Sequence, residues 1–183
     1  SIAGRQAFER LAARTDILIE NFRPGVMRVL GLDYPVLSAR NPRLIYASIS
    51  GYGQTGPDAP KGGFDLVAQG VSGLMSVTGE PGGPPIKSGV PVTDLGAGLF
   101  ALAAVLAALH HRDRSGRGQH IDTSLVEAGL APDRELRVDR FRRSLQLGDR
   151  VRRRAARVSR PGLGGALLVV GGGLGDAGYR DTE

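Results

Sequence analysis

The chain of 183 residues has no cysteine and no tryptophan, and its aromatic share is 5%. Without cysteine there is no disulfide scaffold, no thiolate zinc site and no cysteine nucleophile. Covalent chemistry therefore has to run on oxygen or nitrogen groups. Long apolar runs are scarce as well. The longest, residues 95–109, holds about 15 residues without a charge, short of the roughly 20 that cross a bilayer, and no membrane span is expected. What is present suffices for a core: 41% apolar and 23% charged residues describe a globular chain of one domain, or one and part of another. The chain starts at Ser1 with neither a methionine nor a basic-then-apolar leader, and is read as a piece of a longer protein.

A net charge of +6 and a pI near 10.4 would ordinarily point to nucleic acid. The charge is not evenly spread. Residues 1–131 carry 12 basic and 11 acidic side chains, whereas residues 132–183 carry 12 arginines against 7 acids. The basicity thus belongs to the last 52 residues, and a nucleic-acid partner is not expected for the rest.

Up to residue 131 the pattern alternates as an α/β chain does. Residues 6–14 place Phe8, Leu11 and Ala12 on one helical face, and residues 17–19 form a short β-type run. Helical turns follow at 26–30, ended by Gly31, and at 34–40, opened by Pro35. RLIYASIS, residues 43–50, reads as a buried strand, and residues 51–63, with five Gly and two Pro, as a loop. Residues 64–75 look helical and 78–92 turn-rich. Residues 95–112 form the strongest helix, apolar nearly all round and so expected to be buried. A charged turn at 112–118, a strand at 119–122 and a helix capped by Thr123 or Ser124 complete this part. Beyond residue 132, an Arg-rich stretch and then a Gly-, Leu-, Val- and Ala-rich one show no amphipathic face.

Few side chains stand out for chemistry. Asn21, Phe22 and Arg23 fall just after a strand, at the end where ligands collect in open α/β sheets. Arg23 could fork onto a phosphate and Phe22 stack on a base, although a plain surface turn would use the same residues. Lys61, one of two lysines in the chain, lies in the glycine-rich loop, where its ammonium can reach a phosphate or simply be solvated. Asp94 stands at the start of the apolar helix, where the positive helix end favours the anion. A carboxylate held ionised and partly desolvated is a usable nucleophile toward an acyl group; an ordinary N-cap is the alternative. Gly96 and Gly98 in the first turns would let a ligand approach the backbone. His110, His111 and His120 have no metal-ligand spacing, and Ser124 lacks a nucleophile-elbow context.

Three blocks carry a resemblance: DILIENFRPGV (16–26) with LGLDY (30–34); NPRLIYASISGYGQTGP (41–57); and VPVTDLGAGLFALAAVLAALHHRDRSGRGQHIDTSLVEAGLA (90–131). Together they resemble the family III CoA-transferases, the CaiB/BaiF family, almost without a break over residues 7–131. The resemblance implies a Rossmann-like parallel-sheet α/β domain, incomplete at both ends, from cytoplasmic subunits that interlock as a homodimer. It implies coenzyme A as acyl-CoA substrate, a carboxylic acid as acceptor, and no metal. By the same comparison Asp94 falls on the aspartate that forms an anhydride and then carries CoA as a thioester. Asn21, Phe22 and Arg23 fall on the CoA-contacting segment, and Lys61 on a basic residue near the CoA phosphates. The related α-methylacyl-CoA racemases have a histidine where this chain has Phe64, a side chain that takes no proton, so the transferase reading is preferred. An inactive remnant or binding module is the remaining alternative. Residues 132–183 do not resemble the family; a shifted reading frame in GC-rich DNA would produce such a change of composition.

Overall fold

The computed structural model describes residues 1–130 and the backbone of a strand at 167–171. Helix α1 (Ile2–Ala12) is opened by Ser1, whose hydroxyl accepts the Gly4 N–H at 3.2 Å. Strand β1 (Ile17–Asn21) follows, then α2 (Val26–Val29), α3 (Tyr34–Arg40) and strand β2 (Ile45–Ser50). Helix α4 (Asp65–Val71) and a 3-10 turn (Leu74–Val77) lead to the long α5 (Val92–Ser115), then to β3 (His120–Ser124), α6 (Leu125–Leu130) and β4 (Leu167–Gly171). The four strands form one parallel sheet in the order β3-β2-β1-β4. Ile17 pairs with Ile45, and Tyr46 with His120.

The expected parallel α/β architecture is thus present, because helices rather than tight turns join the strands. Alternation along β2 divides the core into two layers. Tyr46 joins Leu18, Leu37, Leu44, Met27 and Ala12 beneath α1 to α3, while Ile45 and Ala47 meet Ile121, Val105 and Ala108 beneath α5. Phe8 packs on the first layer but Leu11 is 60% exposed, since α1 offers the core a narrow strip centred on Phe8 and Ala12, and Leu11 lies on its flank.

Other expectations shift by a turn. The helix read over 64–75 breaks at Gly73, whose φ of +81° suits glycine, and continues as the 3-10 turn. Helix α5 starts three residues earlier than its apolar run and continues through the charged turn, where Arg112 is buried against the Asp16 carboxylate at 2.9 Å. Gly116, with φ +73°, ends it.

Nor is α5 buried all round. Thr93, Ala97, Ala101, Val105, Ala108 and Arg112 form its inward stripe, and Leu95, Leu99, Leu102 and Leu106 face outward, each more than half exposed. Length and composition alone would let this helix cross a membrane, yet its inward stripe packs on the sheet and on α6. Small residues let the helix sit close to both, which an all-round apolar pattern conceals.

Strand β4 was not expected from a run without amphipathic character. Its backbone pairs in parallel with β1, Leu167 with Ile17 and Gly171 with Asn21. The rest of the reading for residues 132–183, including the frame shift, lies outside the described residues.

Candidate functional site at the C-terminal edge of the sheet

Strands β1, β2 and β3 end together, and the residues singled out for chemistry gather around those ends. Asn21 closes β1 by donating its side-chain N–H to the Ile49 carbonyl of β2 at 2.7 Å. Phe22 packs in part against the Leu18 and Tyr46 core layer, and its backbone N–H is held by Glu20 Oε2 at 2.9 Å. The turn is therefore rigid, and Arg23 emerges from it exposed.

Arg23 does not stand alone. Its guanidinium covers Gly62, where a Cβ would come within 3.0 Å of it. Next to Gly62, Gly51 and Gly63 meet back to back; a Cβ on Gly51 would lie 2.6 Å from the Gly63 Cα. That close approach is what the glycines at the two ends of the loop are for. The loop is pinned further by Gly53 N–H to Ser50 Oγ at 3.0 Å and by Gln54 N–H to the Asp122 carboxylate at 3.0 and 3.1 Å. Lys61 projects from it into solvent and pairs with Asp58 at 2.6 Å, which holds its ammonium pKa above the ordinary value. An exposed pair of this kind is worth little, so an incoming phosphate can take the lysine from Asp58.

Asp94 lies in the first turn of α5 but does not cap it. Pro91 occupies the cap position, and Asp94 is the third helical residue. The start of α5 packs against α6: a Cβ on Gly96 would be 3.2 Å from the Ala128 Cβ, and one on Gly129 would be 3.2 Å from the Thr93 methyl. Gly96 thus serves helix packing and leaves no approach for a ligand, whereas nothing lies within 4 Å of the Cβ position on Gly98. Since α6 follows β3 directly, this contact brings Asp94 to the same edge of the sheet.

The charge on Asp94 is set differently from the sequence expectation. Partial desolvation, and then the negative charge of Asp65, push its pKa up. The positive end of α5 is already occupied by another carboxylate. Asp65 Oδ1 accepts the Thr93 N–H at 2.9 Å and the Thr93 hydroxyl at 2.7 Å. Asp65 accordingly titrates below the usual range: the hydrogen bonds from Thr93, Gln69 and the Asp94 backbone outweigh desolvation, the largest single influence. Sequence reasoning missed Asp65, although it begins α4 beside Phe64, the position already compared with the racemase histidine. Phe64 itself is 56% exposed.

A second polar cluster lies toward the other end of the sheet, where His120 opens β3 opposite Tyr46. Ser48 Oγ and His120 Nε2 are 2.9 Å apart, and the His120 ring stacks on Tyr34 at 5.3 Å and meets Tyr46 edge-on at 5.3 Å. Burial of the ring lowers the His120 pKa, against the opposing pull of Asp122 and Glu20. His110 and His111 sit near the end of α5, away from Asp94. Hollows of about 430 Å³ beside residues 76–85 and about 550 Å³ beside Tyr34, Pro35, His111 and Arg117 include none of Asn21, Arg23, Lys61 and Asp94.

The model of the CoA-transferase family III matches residues 1–139. The chain is 51% identical over 122 residues to a succinate–glutarate CoA-transferase of Agrobacterium fabrum, covering 67% of this chain and 30% of that protein. It is 47% identical over 128 residues to an acetyl-CoA:oxalate CoA-transferase of Acetobacter aceti, covering 69% and 33%. Among solved structures, a CaiB/BaiF family protein from Brucella suis superposes with a TM-score of 0.70 at 41% identity, over 81% of this chain and 38% of that one. The chain therefore spans about a third of the length of the curated relatives it matches. On a family match over most of its length, and on a fold shared with solved members, this chain belongs to the CoA-transferase family III.

Proposed function

We propose that this chain supplies the acyl-accepting carboxylate, Asp94, of an enzyme that moves coenzyme A between an acyl-CoA and a carboxylic acid. The observation that carries the reading is an exposed aspartate in the first helical turn of α5, with a raised pKa and a second carboxylate occupying the helix end beside it. A carboxylate of higher basicity is a better nucleophile.

The steps balance without water. An Asp94 oxygen attacks the thioester carbonyl and expels CoA as thiolate, leaving a mixed anhydride. The thiolate attacks the aspartyl carbonyl, releasing the first acid as carboxylate and leaving an aspartyl thioester. The acceptor carboxylate attacks that thioester, forming a second anhydride and freeing the thiolate. The thiolate then takes the new acyl group and restores Asp94. In this scheme Arg23 and Lys61 hold CoA phosphates, while Asn21 and Phe22 order the turn that presents Arg23. Residues 1–131 act as part of a larger domain, in cytoplasmic subunits that interlock as a homodimer. Proton transfer next to the thioester, as in a racemase, would need a second acid/base group, and Phe64 supplies none.

Incubation with an acyl-CoA and mass spectrometry of the intact chain tests the proposal. An acyl or CoA adduct confined to the peptide containing Asp94, released by hydroxylamine and lost in Asp94→Ala, is expected. Undiminished labelling of Asp94→Ala would refute it.

A further inference from the structure

The N-terminus of α5 has an unusual assignment of hydrogen bonds. An acidic residue at the third helical position ordinarily folds back onto the backbone N–H of the cap residue. Here the cap residue is Pro91, which has no N–H to offer. The free donors of the first turn are satisfied from another element: Asp65, at the start of α4, takes the Thr93 N–H and hydroxyl on Oδ1. Its other oxygen, Oδ2, accepts from Gln69 Nε2 at 2.6 Å. Gln69 is fully buried, and its Oε1 accepts the Ser88 N–H at 2.8 Å, so one glutamine ties α4 to the segment that enters α5. No hydrogen bond to the Asp94 carboxylate is formed among the described residues.

Resting on the function proposed above, we infer that Asp65, braced by Gln69, is a positioning residue that caps α5 from outside and so leaves the Asp94 carboxylate unbonded, aligned and next to a fixed negative charge. Pro91 and Asp65 act together: the first removes the partner that Asp94 would fold back on, and the second takes the donors it would otherwise compete for. Of the titratable groups on the helices packed against this turn, α4 supplies Asp65 and α6 supplies Glu127, and the charge acting on Asp94 comes from Asp65. Thr93, buried between them, fixes the separation of the two carboxylates.

Two variants separate placement from charge. Asp65→Asn keeps an oxygen for Thr93 but removes the charge; Asp65→Ala removes both. Carboxyl-carbon NMR of the full chain should show the Asp94 titration midpoint moving to lower pH in Asp65→Asn. Amide exchange at Thr93 and Asp94 should quicken at least tenfold in Asp65→Ala and much less in Asp65→Asn. The rate of Asp94 acylation by acyl-CoA should fall about tenfold or more in Asp65→Ala and be partly restored in Asp65→Asn, a rescue that loss of folding alone would not give. An unmoved Asp94 titration in Asp65→Asn, or unchanged exchange in Asp65→Ala, would overturn the inference. Absence of any adduct on the unaltered chain would instead overturn the proposed function, and the titration and exchange measurements would still decide the role of Asp65.

Discussion

Asp94 and Asp65 show how two identical side chains, brought together by folding, take opposite chemical roles. Asp65 is surrounded by donors that lower its pKa; among the described residues Asp94 has none, and desolvation and the Asp65 charge raise its pKa. The signs for stability follow. Asp65, with a lowered pKa, contributes stability that is present above its unfolded value and lost as the pH falls through the folded one. Asp94, with a raised pKa, opposes folding at neutral pH, so Asp94→Asn should melt slightly higher than the parent at pH 7, with the difference gone near pH 3. His120 acts in a higher window. Its depressed pKa gives stability above the unfolded value near 6.5 that is lost as the pH falls below it. Melting temperature should therefore decline from pH 7 to pH 5, and His120→Gln should flatten that decline. At the proposed CoA site, Lys61→Ala should weaken CoA binding roughly tenfold in calorimetry, the size of one lost charge-assisted contact.

At the scale of elements, α5 organises the fold through both of its ends. Its first turn carries Asp94, and its last holds Arg112, which is buried, pairs with Asp16 at 2.9 Å and donates to the Asp16 and Arg43 carbonyls at 3.3 Å. Arg112 thereby locks the helix to the residues that enter β1 and β2. Arg112→Met should cost about 2 kcal/mol in urea unfolding, below the 3–5 expected for a wholly buried pair because Asp16 is partly solvated. Just after α5, Gly118 passes so close to β2 that a Cβ would lie 2.0 Å from the Leu44 carbonyl oxygen. Backbone cannot yield as a side-chain tip does, so Gly118→Ala should cost on the order of 3 kcal/mol by the same assay. Strand and helix boundaries were legible where breakers mark them, as at Pro24, Gly31 and Pro35. They were not legible at Gly73, because a glycine inside an apolar stretch does not announce a positive φ.

For the whole molecule, the outward stripe of α5 is the feature a lone domain would not keep. Leu95, Leu99, Leu102 and Leu106 recur at helical spacing and are each more than half exposed, and contiguous apolar surface of this kind marks an interface. The proposed homodimer, or the parts of the longer relatives that this chain does not span, would cover it. Sedimentation of the chain should show concentration-dependent association, which Leu102→Glu should reduce while leaving the melting temperature within about 1 °C, since more than half of that residue is exposed.

The sequence by itself determined the parallel α/β order, the buried β2, the glycine-rich loop and the candidates Asn21, Arg23, Lys61 and Asp94, because periodicity, breakers and residue chemistry are local properties. It also located the basic charge in residues 132–183 rather than in the α/β part. Tertiary structure decided what depends on neighbours distant in the chain. It gave the helix end beside Asp94 to Asp65, 29 residues earlier, filled the space over Gly96 with Ala128, and turned one flank of an all-apolar helix to solvent. It also set Leu167–Gly171 against β1. Hydrogen-bond partners, desolvation and close packing are relations between elements, and no single stretch of sequence contains both partners.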